Sequence, residues 1–283
     1  MNILVTGGAG FIGSHLCEKL AQGKDTVFSL DNYSTGSIEN HVENVTYIKG
    51  STTDIDSISF IPEIIYHLGE YSRVEQSFED IEKVFKSNKE GIFSILQFCR
   101  KTKAKLVYAG SSTKFGDGGA GRDQSPYAWT KASNTELVKN YGEWFGISYA
   151  IVYFYNVYGG REISTGKYAT LIGIFMEQYK NRDTLTVVSP GTQLRNFTHI
   201  DDIISGLTVV GEKGVGDNYG IGCSTAFSIL DIAKMFKTEI EMIPERRGNR
   251  MSSSVVCDKT RLLGWKETKS IEDYIKEVIE KNK

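Results

Sequence analysis

Tyr127 and Lys131 stand four residues apart in the segment "SPYAWTK", a spacing that sets a phenol and an ammonium on one face of a helix. A phenol with an ordinary pKa of ~10 is a poor base at neutral pH. A neighbouring ammonium favours the phenolate, which is the tuning that general acid–base catalysis needs. Ser125 and Pro126, immediately upstream, provide an N-cap and a first helical residue to start that helix. The preceding apolar run, "AKLVYAG", reads as a strand that ends in Ser111-Ser112-Thr113.

A second constellation lies near the N-terminus. In "NILVTGGAGFIGSHL" an apolar run breaks into Gly7-x-x-Gly10-x-x-Gly13 and then resumes at a helical period. In a strand–turn–helix setting the first glycine permits the tight turn and the second lets backbone approach a pyrophosphate. The third lets helix and strand pack closely. The helix that follows turns its N-terminal amides toward the anion. Asp31 ends the next apolar run, 18 residues after Gly13, near the ~20 expected of a carboxylate that bonds a ribose 2′-hydroxyl. A carboxylate there repels a 2′-phosphate, so the pattern predicts NAD rather than NADP.

The elements that must position these groups alternate. Short β-branched runs ("NILVT", "TVFSL", "VTYI", "EIIYHL", "AKLVYAG", "SYAIVYF") are separated by helical or loop segments. This predicts an α/β fold, a doubly wound Rossmann-type parallel sheet covered by helices on both faces. From residue 81 to 99, Ile81, Val84, Phe85, Ile92, Ile95, Leu96 and Cys99 recur at steps of three and four, predicting one amphipathic helix. Asn88 falls inside its apolar stripe, which predicts a buried amide with hydrogen-bond partners. Beyond residue 155 the alternation loosens. Residues 1–155 with about 193–215 are expected to form the dinucleotide-binding domain, and 156–192 with 216–283 a smaller substrate-binding α/β unit.

Composition excludes several other classes. The 283 residues carry 33 basic and 35 acidic side chains, with no long run of either sign to bind nucleic acid or a membrane surface. No apolar stretch approaches the roughly 20 residues of a membrane-spanning helix, and residues 2–6 already read as a strand, leaving no room for a leader. Cys17, Cys99, Cys223 and Cys257 are far apart. They match neither a zinc site nor a disulfide framework and are expected to pack as small apolar residues in a reducing compartment, by default the cytoplasm.

The chain resembles the extended short-chain dehydrogenases/reductases, in particular the NAD-dependent nucleotide-sugar epimerase/dehydratase family. The likeness rests on "TGGAGFIGSHL", "DNYSTG", "YHLGEYSRVEQS", the helix carrying Asn88, "YAGSSTKFGD", "YAWTK", "YFYNVYGG", "RNFTHIDDI" and "ERRGNR…LGW". By resemblance Gly7, Gly10, Phe11, Ile12 and Gly13 hold the pyrophosphate, Asp31 and Asn32 lie near the adenosine ribose, and Leu68 and Asn88 join the cofactor site. Tyr127 matches the family's base, Lys131 the partner that also bonds the nicotinamide ribose, and Ser111 the hydroxyl that bonds the reacting sugar oxygen. Asn156 matches an asparagine that contacts the sugar-nucleotide. Arg195 and Arg246 match arginines that clamp its diphosphate, a role suited to the guanidinium fork; Arg247 and Arg250 compete for the second place. His199, in "FTHIDD", is expected to be structural.

The 4,6-dehydratases of this family place an Asp-Glu pair directly after the catalytic hydroxyl, whereas here Ser112 and Thr113 follow Ser111. The resemblance therefore implies a 4-epimerase working through a 4-keto sugar. Its substrate would be a UDP-hexose or, because the small Ser253 stands where bulk restricts relatives to plain hexoses, a UDP-N-acetylhexosamine. A dehydratase, decarboxylase or 4-reductase, a plain carbonyl reductase and a non-catalytic dinucleotide sensor are the competing readings. Three features depart from the family. The loop "FGDGGAGRDQ" is short and glycine-rich. Gly69-Glu70 replaces a pair of alanines, with the carboxylate either crowding the phosphates or facing solvent. "KGSTTD" replaces a Gly-Asp pair, leaving the adenine contact to Asp54 or to no acid. Relatives pair through the helices holding Asn88 and Tyr127. A homodimer is therefore expected, with Val84, Leu96, Leu137, Val138, Tyr141 and Trp144 supplying either its contacts or the monomer core.

Overall fold

The computed structural model describes residues 1–245, 251 and 255–282. The first half of the chain forms β1 (Asn2–Thr6), α1 (Phe11–Ala21), β2 (Thr26–Asp31), β3 (Val45–Lys49), β4 (Ile64–His67), α2 (Ile81–Phe85), α3 (Gly91–Thr102), β5 (Lys105–Ser111), α4 (Pro126–Phe145) and β6 (Tyr149–Phe154). Each of the six β-branched runs becomes a strand. The second half continues with β7 (Val157–Tyr158), α5 (Leu171–Asn181), β8 (Leu185–Val188), β9 (Leu194–Asn196), β10 (Thr198–His199), α6 (Ile200–Lys213) and β11 (Gly216–Ile221). It closes with β12 (Ala226–Ser228), α7 (Ile229–Met235), β13 (Ile240–Ile243), α8 (Asp258–Leu262) and α9 (Ile271–Lys281).

Seven strands pair in the order β11-β6-β5-β4-β1-β2-β3, all parallel. Their alternating side chains serve two cores, as the two-residue period of a strand requires. Ile3, Val5, Val107, Ala109, Ala150 and Val152 pack with Leu16 and Leu20 of α1 and Ile203 and Leu207 of α6. Leu4, Leu106, Tyr108, Ile151 and Tyr153 pack with Ile92, Ile95 and Leu96 of α3 and Val138 and Tyr141 of α4. A third cluster, built on Phe175, Leu185, Val187, Ile232, Phe236 and Ile275, forms the smaller unit.

Strand order reverses between β1 and β4, and a ligand crevice opens beyond the strand ends at such a switch point. Thr6 is paired with His67, and His67 with Tyr108, so these three side chains form one row across β1, β4 and β5. Ser111 ends β5 beside Phe154 of β6.

Three expectations change, and one open alternative is resolved. Residues 216–221, assigned to the second unit, form an edge strand of the main sheet, because Tyr219 and Ile221 complete the core under α6. The helix expected over 81–99 is interrupted by one π-helical turn at Lys86–Glu90, which carries Asn88. Of the six apolar residues given to either the dimer or the monomer core, Val84, Leu96, Val138 and Tyr141 are buried within the monomer, Leu137 packs half-buried against the same core, and Trp144 is exposed. Cys17, Cys99 and Cys257 are buried thiols as expected, whereas Cys223 is only half-buried.

The close contact between α1 and the β1 turn is a steric requirement. A Cβ on Gly13 would sit 2.0 Å from the Gly7 carbonyl oxygen. Gly13→Ala is therefore expected to lower stability by at least about 2 kcal/mol, read from the midpoint of urea unfolding.

Candidate active site

A cavity of about 1150 Å³ opens at the strand ends between the sheet and the smaller unit. Its dinucleotide end is built as the glycine spacing requires. Gly7 adopts φ +73°, and a Cβ there would lie 2.9 Å from Gly69 Cα, so only glycine lets the turn nest against the loop after β4. Gly10 caps α1 without any side-chain hydrogen bond, leaving the amides at the helix start to an anion from the cavity. Gly7, Gly10, Phe11, Ile12, Gly13 and Leu68 all line this region.

Asp31, nearly buried at the end of β2, accepts hydrogen bonds from the Ala9 amide at 2.9 Å and the Tyr33 amide at 2.8 Å. Those bonds aim its carboxylate along the cavity wall beside Asn32. Asp54 does not reach the cavity wall. It accepts from the Ser51 amide at 2.9 Å and caps a short 3₁₀ turn. The residues present thus fit a dinucleotide, with an acid placed for its ribose hydroxyls.

The other end of the cavity lies on α4. Ser125 Oγ accepts from the Ala128 amide at 3.1 Å, and Pro126 occupies the first turn, as the sequence implies. Tyr127 then donates its hydroxyl to Ser111 Oγ at 3.2 Å, and Thr113 Oγ1 donates to the same oxygen at 2.9 Å. Ser111, Tyr127 and Lys131 share the cavity lining with Asn156 and Arg195. Asn156 donates to the Asn196 carbonyl at 2.9 Å. Arg195 donates to its neighbour Leu194 at 2.8 Å. Arg246 and Ser253, with Arg247 and Arg250, lie outside the described residues.

Lys131 is buried, and its Nζ donates to Glu70 Oε2 and to the Ala109 carbonyl oxygen. Glu70 neither crowds the phosphates nor faces solvent; it points inward under α4, because a buried ammonium attracts the nearest carboxylate. Its Oε2 also accepts from Tyr108 at 3.0 Å, and its Oε1 from Asn134 at 3.1 Å. His67 Nε2 stands 3.4 Å from Oε1, and the row is completed by the 2.8 Å contact of His67 Nδ1 with Thr6 Oγ1. Burial pushes the Glu70 carboxyl up, but Lys131 and His67 outweigh it and hold the group below the ordinary carboxylate value.

Asn88 is fully buried, as expected, yet it does not line the cavity. Its side chain accepts from the Tyr71 amide at 2.7 Å and donates to the Tyr71 carbonyl and to Thr130, each at 3.1 Å. It therefore fixes the loop that carries Glu70. His199 caps α6 by accepting the Asp201 amide at 3.2 Å, a structural role in keeping with its expected one. Arg73 went unremarked in the sequence. Its guanidinium, bonded to the Tyr168 carbonyl through Nε at 2.9 Å, lines the cavity within electrostatic reach of Tyr127. A basic residue six positions after a strand-end histidine was the available signal.

The fold is that of a dinucleotide-dependent enzyme, and Ser111, Tyr127 and Lys131 stand together on the wall of its cavity. Residues 3–222 match the model of the NAD dependent epimerase/dehydratase family, and the chain belongs to that family. A putative UDP-glucose 4-epimerase of Methanocaldococcus jannaschii is 30% identical over 98% of this chain and 97% of its own length. A UDP-N-acetyl-alpha-D-glucosaminuronate decarboxylase of Bacillus cytotoxicus is 30% identical over 82% of this chain and 78% of its own. Among solved structures, the UDP-glucose 4-epimerase of Thermotoga maritima with UDP-glucose superposes with TM-score 0.92 at 27% identity, covering 99% of this chain and 98% of that one. The UDP-glucose 4-epimerase of Thermus thermophilus in complex with NAD gives TM-score 0.90 at 25% identity, covering 100% and 99%. The cofactor of this chain is NAD, and none of its described helices is long and apolar enough to cross a membrane.

The Asp31 geometry has a measurable consequence. Asp31→Ala removes a charged acceptor worth roughly 1.5–3 kcal/mol. Equilibrium titration should show NAD affinity falling by about 10-fold or more, with a smaller change for NADP and so a narrower preference between them.

Proposed function

We propose that this protein is a nucleotide-sugar 4-epimerase, acting on a UDP-hexose or UDP-N-acetylhexosamine through a transient 4-keto sugar. The observation that carries this reading is the Tyr127–Ser111 hydrogen bond on the cavity wall, with Ser112 and Thr113 in the two positions that follow. Neither hydroxyl can serve as the acid and base that expel water from the sugar. The carboxylates lining the cavity among the described residues are Asp31, Glu70 and Glu75; the first is aimed at the ribose and the second is bound to Lys131.

Bound NAD supplies a hydride acceptor that can return the hydride to either face of the sugar. Tyr127 takes the proton of the sugar 4-hydroxyl and later gives it back, while Ser111 bonds the same oxygen and holds it in line. Lys131, with its ammonium fixed by two acceptors, keeps a third N–H for the cofactor ribose. Asn156 and Arg195 hold the nucleotide portion, Arg195 through its fork on the diphosphate, with Arg246 as the second clamp and Ser253 leaving room for an N-acetyl group. Retention of Ser111, Tyr127 and Lys131 favours an enzyme over a sensor. The free thiols favour a reducing, cytoplasmic setting.

The test is incubation of the purified protein with UDP-glucose, UDP-N-acetylglucosamine and UDP-glucuronate, products being followed by NMR. Formation of the 4-epimer, with Tyr127→Phe slower by about 100-fold or more, supports the reading. Loss of carbon dioxide from the uronate, or of water from the hexose, without any 4-epimer replaces it.

We also propose a homodimer formed through α2, α3 and α4. Ile81, Phe85, Phe93 and Trp129 remain exposed on these helices, and the Phe85 and Trp129 rings stack with centroids 5.7 Å apart. Sedimentation at micromolar concentration is expected to give a dimer, and Phe85→Glu a monomer that keeps its fold by circular dichroism. A wild-type monomer would refute the assignment.

A further inference from the structure

Arg73 brings to the cavity a positive charge that its bonded neighbours do not neutralise. Its side chain is half-buried on the cavity wall. Its four hydrogen bonds among the described residues all go to neutral oxygens. Nε and Nη2 donate to the Tyr168 carbonyl, and Nη1 donates to the Ser72 carbonyl and to the Ser72 hydroxyl, each at 3.1 Å. A guanidinium carries five N–H groups, so at least one is left over. Burial works against the charge and lowers the Arg73 pKa from its ordinary value, yet a guanidinium stays protonated at neutral pH. A charge drawn out of water without a counter-ion is costly.

Glu162, in the segment after β7, lies within electrostatic reach but is committed elsewhere. It accepts from the Gly159 amide at 2.7 Å and from the Thr170 hydroxyl. Burial pushes its carboxyl up to about 7, so at neutral pH it supplies only part of a charge. The guanidinium is nonetheless anchored. Tyr168, which receives it, donates its own hydroxyl to Asp80 at 2.9 Å, and Asp80 also takes the Tyr71 hydroxyl at 3.0 Å. The fork is thus tied to the wall from both sides.

The loop that carries Arg73 runs beside the turn of α4 that holds Tyr127. Glu70 binds Lys131. Asn88, which grips the backbone of Tyr71, donates to the Thr130 hydroxyl, and that hydroxyl donates to the Tyr127 carbonyl at 2.8 Å. Arg73 therefore stands at the Ser111–Tyr127 end of the cavity. We propose, resting on the nucleotide-sugar reading above, that Arg73 is a specificity-determining residue that binds a carboxylate carried by the sugar. The preferred substrate is then a UDP-hexuronate, or its N-acetylated form, rather than a neutral hexose. A carboxylate gives the remaining N–H an acceptor and supplies the missing charge, and a hydrogen bond between charged groups is about twice as strong as a neutral one. The hydroxymethyl group of a neutral hexose gives an acceptor and no charge. The diphosphate falls in the same reading to Arg195 and Arg246.

The experiment is calorimetric titration of the NAD-saturated protein with UDP-glucuronate, its neutral methyl ester and UDP-glucose. The wild type is expected to bind UDP-glucuronate about 10-fold or more tighter than either neutral ligand. UDP-glucose guards against a clash caused by the added methyl group of the ester. Arg73→Gln, which keeps a hydrogen-bonding side chain without the charge, is expected to abolish that preference. Absence of the preference in the wild type overturns the proposal. So does a preference that survives in Arg73→Gln, the result expected if Arg73 grips the diphosphate that all three ligands share. If Arg73→Gln does not fold, Arg73→Lys keeps the charge and loses the fork; it should shrink the preference, and an unchanged ratio overturns the proposal. Binding requires no turnover, so the two readings fail separately. A protein that prefers the uronate but forms no 4-epimer from any sugar loses the epimerase reading and keeps this one; 4-epimerisation of UDP-glucose without a preference for the uronate does the reverse.

Discussion

A protonated lysine inside a protein needs acceptors for its hydrogens, and meeting that need orders most of this site. Lys131 is placed by α4, a helix held against the sheet by Val138 and Tyr141, so its ammonium emerges beside the end of β5. Ala109 offers a carbonyl there and Glu70 a carboxylate. Each of these acceptors has its own requirement. Glu70 takes hydrogens from Tyr108 and Asn134, Asn134 ties to Asn88, and Asn88 to the backbone of Tyr71. A single buried charge thus links the end of β4, the π-helical turn, β5 and α4 into one polar network in which each member is satisfied by the next.

Much of this was legible in the sequence, and the reasons are local. The β-branched runs, the glycine spacing with Asp31, and the Ser–Pro start ahead of Tyr127 each depend on residues within a few positions of one another. The burial of Asn88 was legible too, because an amide inside an apolar stripe has nowhere else to go. Its partners were not. Asn88 turns to the loop of Tyr71 rather than to the cavity, and the wider turn around it comes from tertiary packing that a helical period does not encode. Glu70 stood out as an acid in place of a small residue, but its partner Lys131 is 61 positions away. Only the pairing of β4 with β5 brings the two together.

The apolar stripes on the helices hold a similar ambiguity. A helix lying between a sheet and open surface can carry two apolar faces, and a list of residues at steps of three and four does not say which is which. Val84, Leu96, Val138 and Tyr141 belong to the face turned inward, whereas Ile81, Phe85, Phe93 and Trp129 form the face turned outward. Residue type alone does not separate them.

The chain leaves the main sheet after β6, builds part of the smaller unit, returns for α6 and β11, and departs again for β12 and α7. Neither unit is therefore a continuous stretch of sequence. The smaller unit cannot be exchanged as a cassette by recombination, since any single crossover that replaces it also removes the edge strand and the helix covering one face of the main sheet. A lineage carrying this topology is left to change its choice of sugar by individual side-chain replacements around a cavity whose frame stays fixed.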